Sequence, residues 1–445
     1  MPSVLRSRCV NRLHPFGEAA IVTSGRVESI AAGVFEGMGL ELACTGCGAS
    51  LPLTEPALRC RSCGEPLEVR GYGRPSLREC PWPGRSLAER YGGFLPPLGR
   101  YAELSMGEGF TPLVDAPRLA DALGLRRLLI KNETTNPTWS FKDRGTVVAM
   151  ADALSRGCRA VGVVSTGNMA ASVAAYGARA GISVIVLVSA GTPAEKLPPV
   201  AVYGCTVVRV DGDYGALYHR SLVLDGVRFL NSDAPARVEG SKTIAFEICE
   251  QCDFAPPDWV IVPTSSGGNI RGILKGFEEM REASLIPEVP KMVCAQASGC
   301  APIATAWERG SEVIARVTEP RTVAHAIANP SPPSGNAVLR KLREGAGMCV
   351  AVSDESILDA QIEMASAGVF GQPAAAASLA AARVLAGSSV IGRTDTVVCV
   401  ATGAGLKVAG TTDGRLPSVL ECTLDTLEST ASTWLRRIRA TGVSP

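Results

Sequence analysis

Lys142 stands in the decapeptide Asn136-Pro-Thr-Trp-Ser-Phe-Lys-Asp-Arg-Gly145. A small polar turn holds this lysine just before an alternating polar and apolar stretch, which suits an amine at the rim of a buried site. Desolvation or a nearby cation lowers the pKa of such an amine and frees its lone pair to form a Schiff base with an aldehyde. The competing reading is a surface lysine at a helix start. A second chemistry sits upstream. Cys44-Thr-Gly-Cys47 and Cys60-Arg-Ser-Cys63 are two Cys-x-x-Cys knuckles, each followed by glycine. That spacing places four thiolates tetrahedrally around zinc. The pair Cys249 and Cys252 has no partner knuckle and reads as helix packing.

Three glycine-containing loops each follow an apolar run and precede a helical pattern. Ligands in open α/β sheets bind at such strand ends. Ser165-Thr166-Gly167-Asn168 offers hydroxyls and free N–H groups at a helix N-terminus, which suit a carboxylate. The Asn168 amide suits a phenolate-like oxygen. Thr264-Ser265-Ser266-Gly267-Gly268-Asn269 reads as a phosphate cradle, because paired glycines let backbone approach an anion and the helix dipole favours negative charge. It carries neither the Walker pattern nor the dinucleotide fingerprint. In Ala401–Lys407, Thr402 directly follows an apolar strand and can point its hydroxyl into the site. A lysine, an anion cradle, an amide and a hydroxyl are together what pyridoxal phosphate requires. The histidines, His14, His219 and His325, form no catalytic pattern.

Elements must position these groups. Apolar runs at Arg127–Lys131, Arg159–Ser165, Ile182–Ser189, Thr206–Val210, Trp259–Pro263, Lys291–Gln296 and Thr396–Ala401 read as strands separated by helices. That pattern predicts an α/β fold of parallel sheets covered on both faces. The 445 residues suit two or three lobes, and 46% apolar against 20% charged residues predicts a packed globular protein. A net charge of +1 provides no field toward nucleic acid or a membrane surface. The longest apolar run, Gly181–Gly191, is far short of the roughly 20 residues of a membrane span. Fifteen dispersed cysteines without an export signal indicate a reducing, cytoplasmic location.

The chain resembles threonine synthase, in the β-family (fold type II) of pyridoxal-phosphate enzymes, from about Leu40 to about Ala409. The resemblance is carried by the cysteine knuckles, Gly107–Leu113, Asn136–Gly145, Ser165–Asn168, Asn231-Ser232 through Thr243, Pro263–Asn269, Gly368–Pro373 and Thr402–Lys407. It implies two open parallel-sheet lobes of the tryptophan-synthase-β-like type behind a small zinc ribbon. The expected organisation is an extension at 1–37, the ribbon at 38–75, the catalytic core at 76–410 with a smaller lobe inserted at about 150–235, and a tail at 411–445. By resemblance, Lys142 is the Schiff-base lysine and shuttles protons. Phe141 lies beside the cofactor ring, and Asn168 bonds its 3′-oxygen. Ser265, Ser266, Gly267, Gly268 and Asn269 hold its phosphate, and Thr402 bonds its pyridine nitrogen. Ser165 and Thr166 take the substrate carboxylate, while Ser232 and Arg237 match positions that bind the substrate phosphate. The implied reaction converts O-phospho-L-homoserine and water to L-threonine and phosphate. The expected partners are a small phosphorylated amino acid and a second copy in a homodimer.

The family pattern is broken in places. Trp139 replaces a glycine, Met169 a threonine, Gln372 a glutamate, Ala404 a histidine and Val408 an acid, and Ser265-Ser266 replaces Gly-Asn. These changes flank the substrate more than the cofactor. They leave open a paralogue that carries out another β- or γ-elimination or replacement on a different activated amino acid. A regulatory zinc-ribbon protein on an inactive scaffold is a third reading, opposed by Lys142, Asn168 and Thr402.

Overall fold

The computed structural model describes residues 39–77, 84–165, 167–192, 194, 197–212, 214–412, 414–416 and 419–440. The expected extension at 1–37 and the carboxylate-binding Thr166 lie outside them. Near the start, Glu41–Cys44 (β1), Ser50–Pro52 (β2) and Leu67–Arg70 (β3) form an antiparallel sheet in the order β2-β1-β3. The two cysteine knuckles close the turns beside it. This ribbon is too small to bury a core alone, so Leu42, Leu67 and Val69 pack into the main apolar cluster of the protein.

Six strands make the larger sheet: Leu113–Asp115 (β4), Arg127–Asn132 (β5), Trp259–Pro263 (β10), Lys291–Ala297 (β11), Met348–Val352 (β12) and Thr396–Ala401 (β13). Their order is β12-β11-β10-β13-β5-β4. Every neighbouring pair is parallel except β4 and β5. The antiparallel edge departs from the all-parallel expectation. Between them the short helix Pro117–Leu123, ended by Gly124, reverses the chain, so that β5 runs back alongside β4. The smaller sheet is wholly parallel, in the order β8-β7-β6-β9, from Ala160–Val164 (β6), Ser183–Ser189 (β7), Thr206–Val210 (β8) and Arg228–Phe229 (β9). The central strands are continuous apolar runs because both faces are covered; all five residues of β10 are buried.

Seven helices matter for the site: Lys142–Ser155 (α1), Asn168–Ala180 (α2), Tyr214–Ser221 (α3), Pro235–Ser241 (α4), Thr243–Gln251 (α5), Gly268–Glu282 (α6) and Pro373–Gly387 (α7). Sequence punctuates them. Gly181, with φ of 67°, ends α2, and Pro235 and Pro373 open α4 and α7. The alanines of α7 are buried against the larger sheet, where their small side chains permit close approach.

The start of α1 is fixed by buried charge. Arg144 is fully buried and donates from Nε to Glu133 at 2.7 Å and from Nη1 to Glu247 at 2.5 Å. Its Nη2 reaches both carboxylates at 2.8 Å. Lys131 Nζ adds a second cation to Glu247 at 2.7 Å. Two cations and two anions therefore balance in one dry cluster linking β5, α1 and α5. Removing one partner of such a cluster strands a buried charge. Arg144→Met should lower stability by about 3–5 kcal/mol, read as a lower urea midpoint.

Candidate active site

Lys142 is the first residue of α1, and Phe141 caps it. The amine lies 4.4 Å from the centre of the Phe141 ring and 3.4 Å from the Ser232 hydroxyl. The lysine is thus at a helix start, but it is half-buried rather than on the surface. Burial of the amine, followed by the positive charge of Arg237, lowers its pKa to about 7. A large fraction of this lysine is neutral near physiological pH.

Distant loops converge on it. Phe141 N donates to the Thr402 carbonyl at 3.1 Å, and Ala404 N donates to the Trp139 carbonyl at 3.0 Å. A bridge between Ser140 and Gly403 completes the seam. The turn before Lys142 is therefore stitched to the loop after β13, and Thr402 is buried within the seam. Trp139 holds φ of 61°, a left-handed conformation suited to glycine, and is 58% exposed. An L-residue there carries a backbone cost of about 1–2 kcal/mol.

The glycine cradle lies beside Ser232. Gly267 has φ of 90°, and a Cβ on Gly268 would stand 2.2 Å from the Ser232 carbonyl oxygen. No larger residue fits at 268. Asn269 is 9% exposed, and neither polar atom of its buried amide has a hydrogen-bond partner. Such an unpartnered amide beside free helix N–H groups fits an anion taken from solvent. Ser265 and Ser266 are half-buried in the same turn. Ser165, half-buried at the end of β6, accepts from Gly167 N at 3.3 Å.

Asn168 begins α2 and is held on two sides. Lys407 Nζ donates to its Oδ1 at 2.9 Å, and its Nδ2 donates to Gln372 Oε1 at 3.3 Å. One amide hydrogen is left for a ligand oxygen. Burial, partly opposed by Asp143, lowers Lys407 to about 8. Sequence reasoning assigned no role to Lys407 and read Gln372 only as a departure near the substrate, whereas it holds the Asn168 amide. Their signal was their place in the same loops as Thr402 and Pro373.

Arg237 lies under the first turn of α1, close to Lys142. Its guanidinium donates to Thr146 Oγ1 at 2.8 Å and to the Lys142 carbonyl at 3.1 Å, bracing the first turn of α1. A cavity of about 280 Å³ opens next to Ser232 and Ser266, and its basic lining side chains are Arg59, Arg316 and His219. Met169 also lines it, and its sulfur accepts from the Ser232 hydroxyl at 3.6 Å.

The four ribbon cysteines form a separate cluster with all sulfurs within 4.8 Å of one another. Cys44 and Cys63 sulfurs are 3.3 Å apart, and Cys47 and Cys60 sulfurs 3.7 Å. Metal–sulfur bonds of about 2.3 Å in a tetrahedron give similar separations.

A lysine with a free lone pair, an anion cradle and a fixed amide at the strand ends of two parallel sheets define an enzyme of pyridoxal phosphate. A family model described as pyridoxal-phosphate dependent enzyme matches residues 104–403. Threonine synthase of Methanosarcina acetivorans is 38% identical over 403 residues, covering 87% of this chain and 97% of that one. Threonine synthase of Methanocaldococcus jannaschii is 39% identical over 346 residues, covering 76% and 85%. Among solved structures, maize serine racemase aligns with a TM-score of 0.58 at 21% identity, covering 74% of this chain and 93% of that one. Diaminopropionate ammonia lyase from Escherichia coli gives 0.60 at 16% identity, covering 71% and 89%. These two establish a shared fold. The chain belongs to the threonine synthase family of pyridoxal-phosphate dependent enzymes.

The lowered pKa of Lys142 has a measurable sign. The cofactor-free protein should take up pyridoxal phosphate faster as pH rises, levelling above a midpoint near 7. Arg237→Gln removes the neighbouring cation and should move that midpoint upward, read from the pH dependence of cofactor absorbance growth. Between about 7 and the ordinary 10.5, the unfolded chain binds a proton at Lys142 that the folded one does not. This lysine therefore makes cofactor-free stability rise with pH across that window.

Proposed function

We propose that this chain converts O-phospho-L-homoserine and water to L-threonine and phosphate. The observation that carries this reading is the Lys142 amine, pKa lowered to about 7, set beside Ser232 at the cavity edge. The names and 37–39% identities of the relatives supply the substrate. Lys142 is the residue that moves protons at the substrate Cα and Cβ, its lone pair being available at neutral pH. Gly267, Gly268 and Asn269, with Ser265 and Ser266, hold the cofactor phosphate. Asn168 presents its remaining amide hydrogen to the ring oxygen, Thr402 its hydroxyl to the ring nitrogen, and Phe141 its face to the ring. When bound, pyridoxal phosphate supplies an aldehyde that captures the substrate amine and a conjugated ring that takes up electrons as carbon loses a proton. Ser165 and Thr166 take the substrate carboxylate. Ser232 faces the substrate phosphate, and Arg237 supports the site from beneath α1.

Met169 favours a second reading, a different activated amino acid, because its thioether puts a weak acceptor at the Ser232 wall. Incubation with phosphohomoserine should release phosphate and threonine in equal amounts. Lys142→Ala should lower the rate by about a thousandfold or more. Cofactor absorbance without phosphate release would reject the first reading in favour of the second.

We also infer that Cys44, Cys47, Cys60 and Cys63 hold one structural zinc ion, supported by their clustered sulfurs. Elemental analysis of the purified protein should find one zinc per chain. Cys60→Ser should lose it and lower the thermal midpoint, because metal binding stabilises the folded ribbon.

A further inference from the structure

One side chain of the ribbon reaches the wall of the cavity. Arg59 directly precedes Cys60. Its Nε donates to the carbonyl of Gly64, the residue after Cys63, at 2.6 Å. The guanidinium is thereby tied to the knuckle that the metal closes. From there Nη1 donates to Asp233 Oδ2 at 2.5 Å and to the Tyr218 hydroxyl at 3.3 Å. Nη2 donates to the Pro333 carbonyl at 3.0 Å. Tyr218 donates to the same Asp233 oxygen at 2.5 Å. A single guanidinium therefore joins the ribbon, helix α3, the turn after β9 and the loop before Ser334. That loop in turn touches the glycine cradle, since Ser334 N donates to the Ser266 carbonyl at 3.0 Å.

Asp233 is one residue from the reacting centre. Its neighbour Ser232 places a hydroxyl 3.4 Å from the Lys142 amine. The Ser232 carbonyl abuts Gly268 so closely that no Cβ fits between them. Movement of the Ser232–Asp233 turn changes both the cavity wall and the lip of the cradle. The Arg59–Asp233 pair is poorly accessible, with side chains 18% and 3% exposed, so water is a poor substitute for either partner. The rest of the ribbon is anchored separately. Glu68 pairs with Arg271 of α6 at 2.9 Å. Loss of the Arg59 contact therefore leaves the ribbon docked.

We propose that Arg59 is a positioning residue for the substrate site, through which the metal-clipped knuckle holds Asp233 and Ser232 in place. Metal occupancy of the ribbon then controls substrate affinity as well as local folding. The inference rests on the reading of the cavity next to Ser232 as the place of the substrate phosphate.

The test uses full-length, cofactor-loaded protein carrying Arg59→Ala, Arg59→Lys or Asp233→Asn. Arg59→Ala and Asp233→Asn should raise KM for phosphohomoserine by about tenfold. They should leave cofactor absorbance intact and kcat within about twofold. Arg59→Lys should recover part of the affinity, because an ammonium reaches Asp233 but lacks the fork that also grips Pro333. Hydrogen exchange across residues 228–236 should quicken in Arg59→Ala. It should also quicken in wild-type protein stripped with a chelator, and be restored there, but not in Arg59→Ala, by Zn²⁺ alone. Wild-type KM and exchange in Arg59→Ala would overturn the proposal, as would loss of cofactor absorbance and kcat in step with KM, the mark of general destabilisation. If wild-type protein does not turn over phosphohomoserine, the substrate reading fails while the exchange measurements still decide the coupling.

Discussion

Three successive charged residues open helix α1, and the burial of Asp143 and Arg144 constrains the rest of the site. Lys142, Asp143 and Arg144 leave the helix in three directions. Arg144 is held by the carboxylates of Glu133 and Glu247. Asp143 accepts from the backbone and hydroxyl of Thr138 and from Ser172, each at 2.6 Å. With two neighbours locked, the rotation of the first turn is set, and Lys142 has one direction left. That direction is toward Ser232. A charge can stay in such an interior only with matched partners. Glu133, directly after β5, and Glu247 on α5 are thus as much a condition for the amine as the lysine codon itself.

The electrostatics around the amine follow from this arrangement. Arg237 lies under the same turn, and burial lowers its own pKa to about 10, partly offset by Asp143. It remains a cation at neutral pH and disfavours a second positive charge on Lys142. One cation keeps its charge so that its neighbour loses one. The same first turn is braced from below by Arg237 and from the side by the seam to Thr402. Position and protonation of the amine are therefore set by overlapping contacts.

The long strands were legible because parallel strands buried on both faces are written as uninterrupted apolar runs. β8, β10 and β13 begin and end at the residues that the runs mark. β4 was not legible: it has three residues, none buried, and lies next to a motif read for chemistry. Arg237 reads only as a match to a position that binds the substrate phosphate, and its surroundings cannot be read from the residues beside it. Pro235 starts a helix, and helical register carries the guanidinium under α1. Trp139 was visible as a departure from pattern, but only backbone geometry shows that it keeps the glycine conformation without the glycine. Arg59 gave no signal beyond its adjacency to Cys60. Contacts that span 174 residues, as Arg59 to Asp233 does, leave no periodicity to read.

The place of β13 has a consequence for how the chain is made. This strand, among the last elements synthesised, lies between β10 and β5 at the middle of the larger sheet. Until it emerges, the facing edges of β5 and β10 stay unpaired, and the seam that fixes the turn before Lys142 has nothing to join. A growing chain can complete the smaller sheet and the ribbon, yet it cannot assemble the amine site before residue 404 is available. Exposed parallel edges are open to wrong partners during that interval. The seam that holds the turn before Lys142 is therefore among the last parts of the site to close during synthesis.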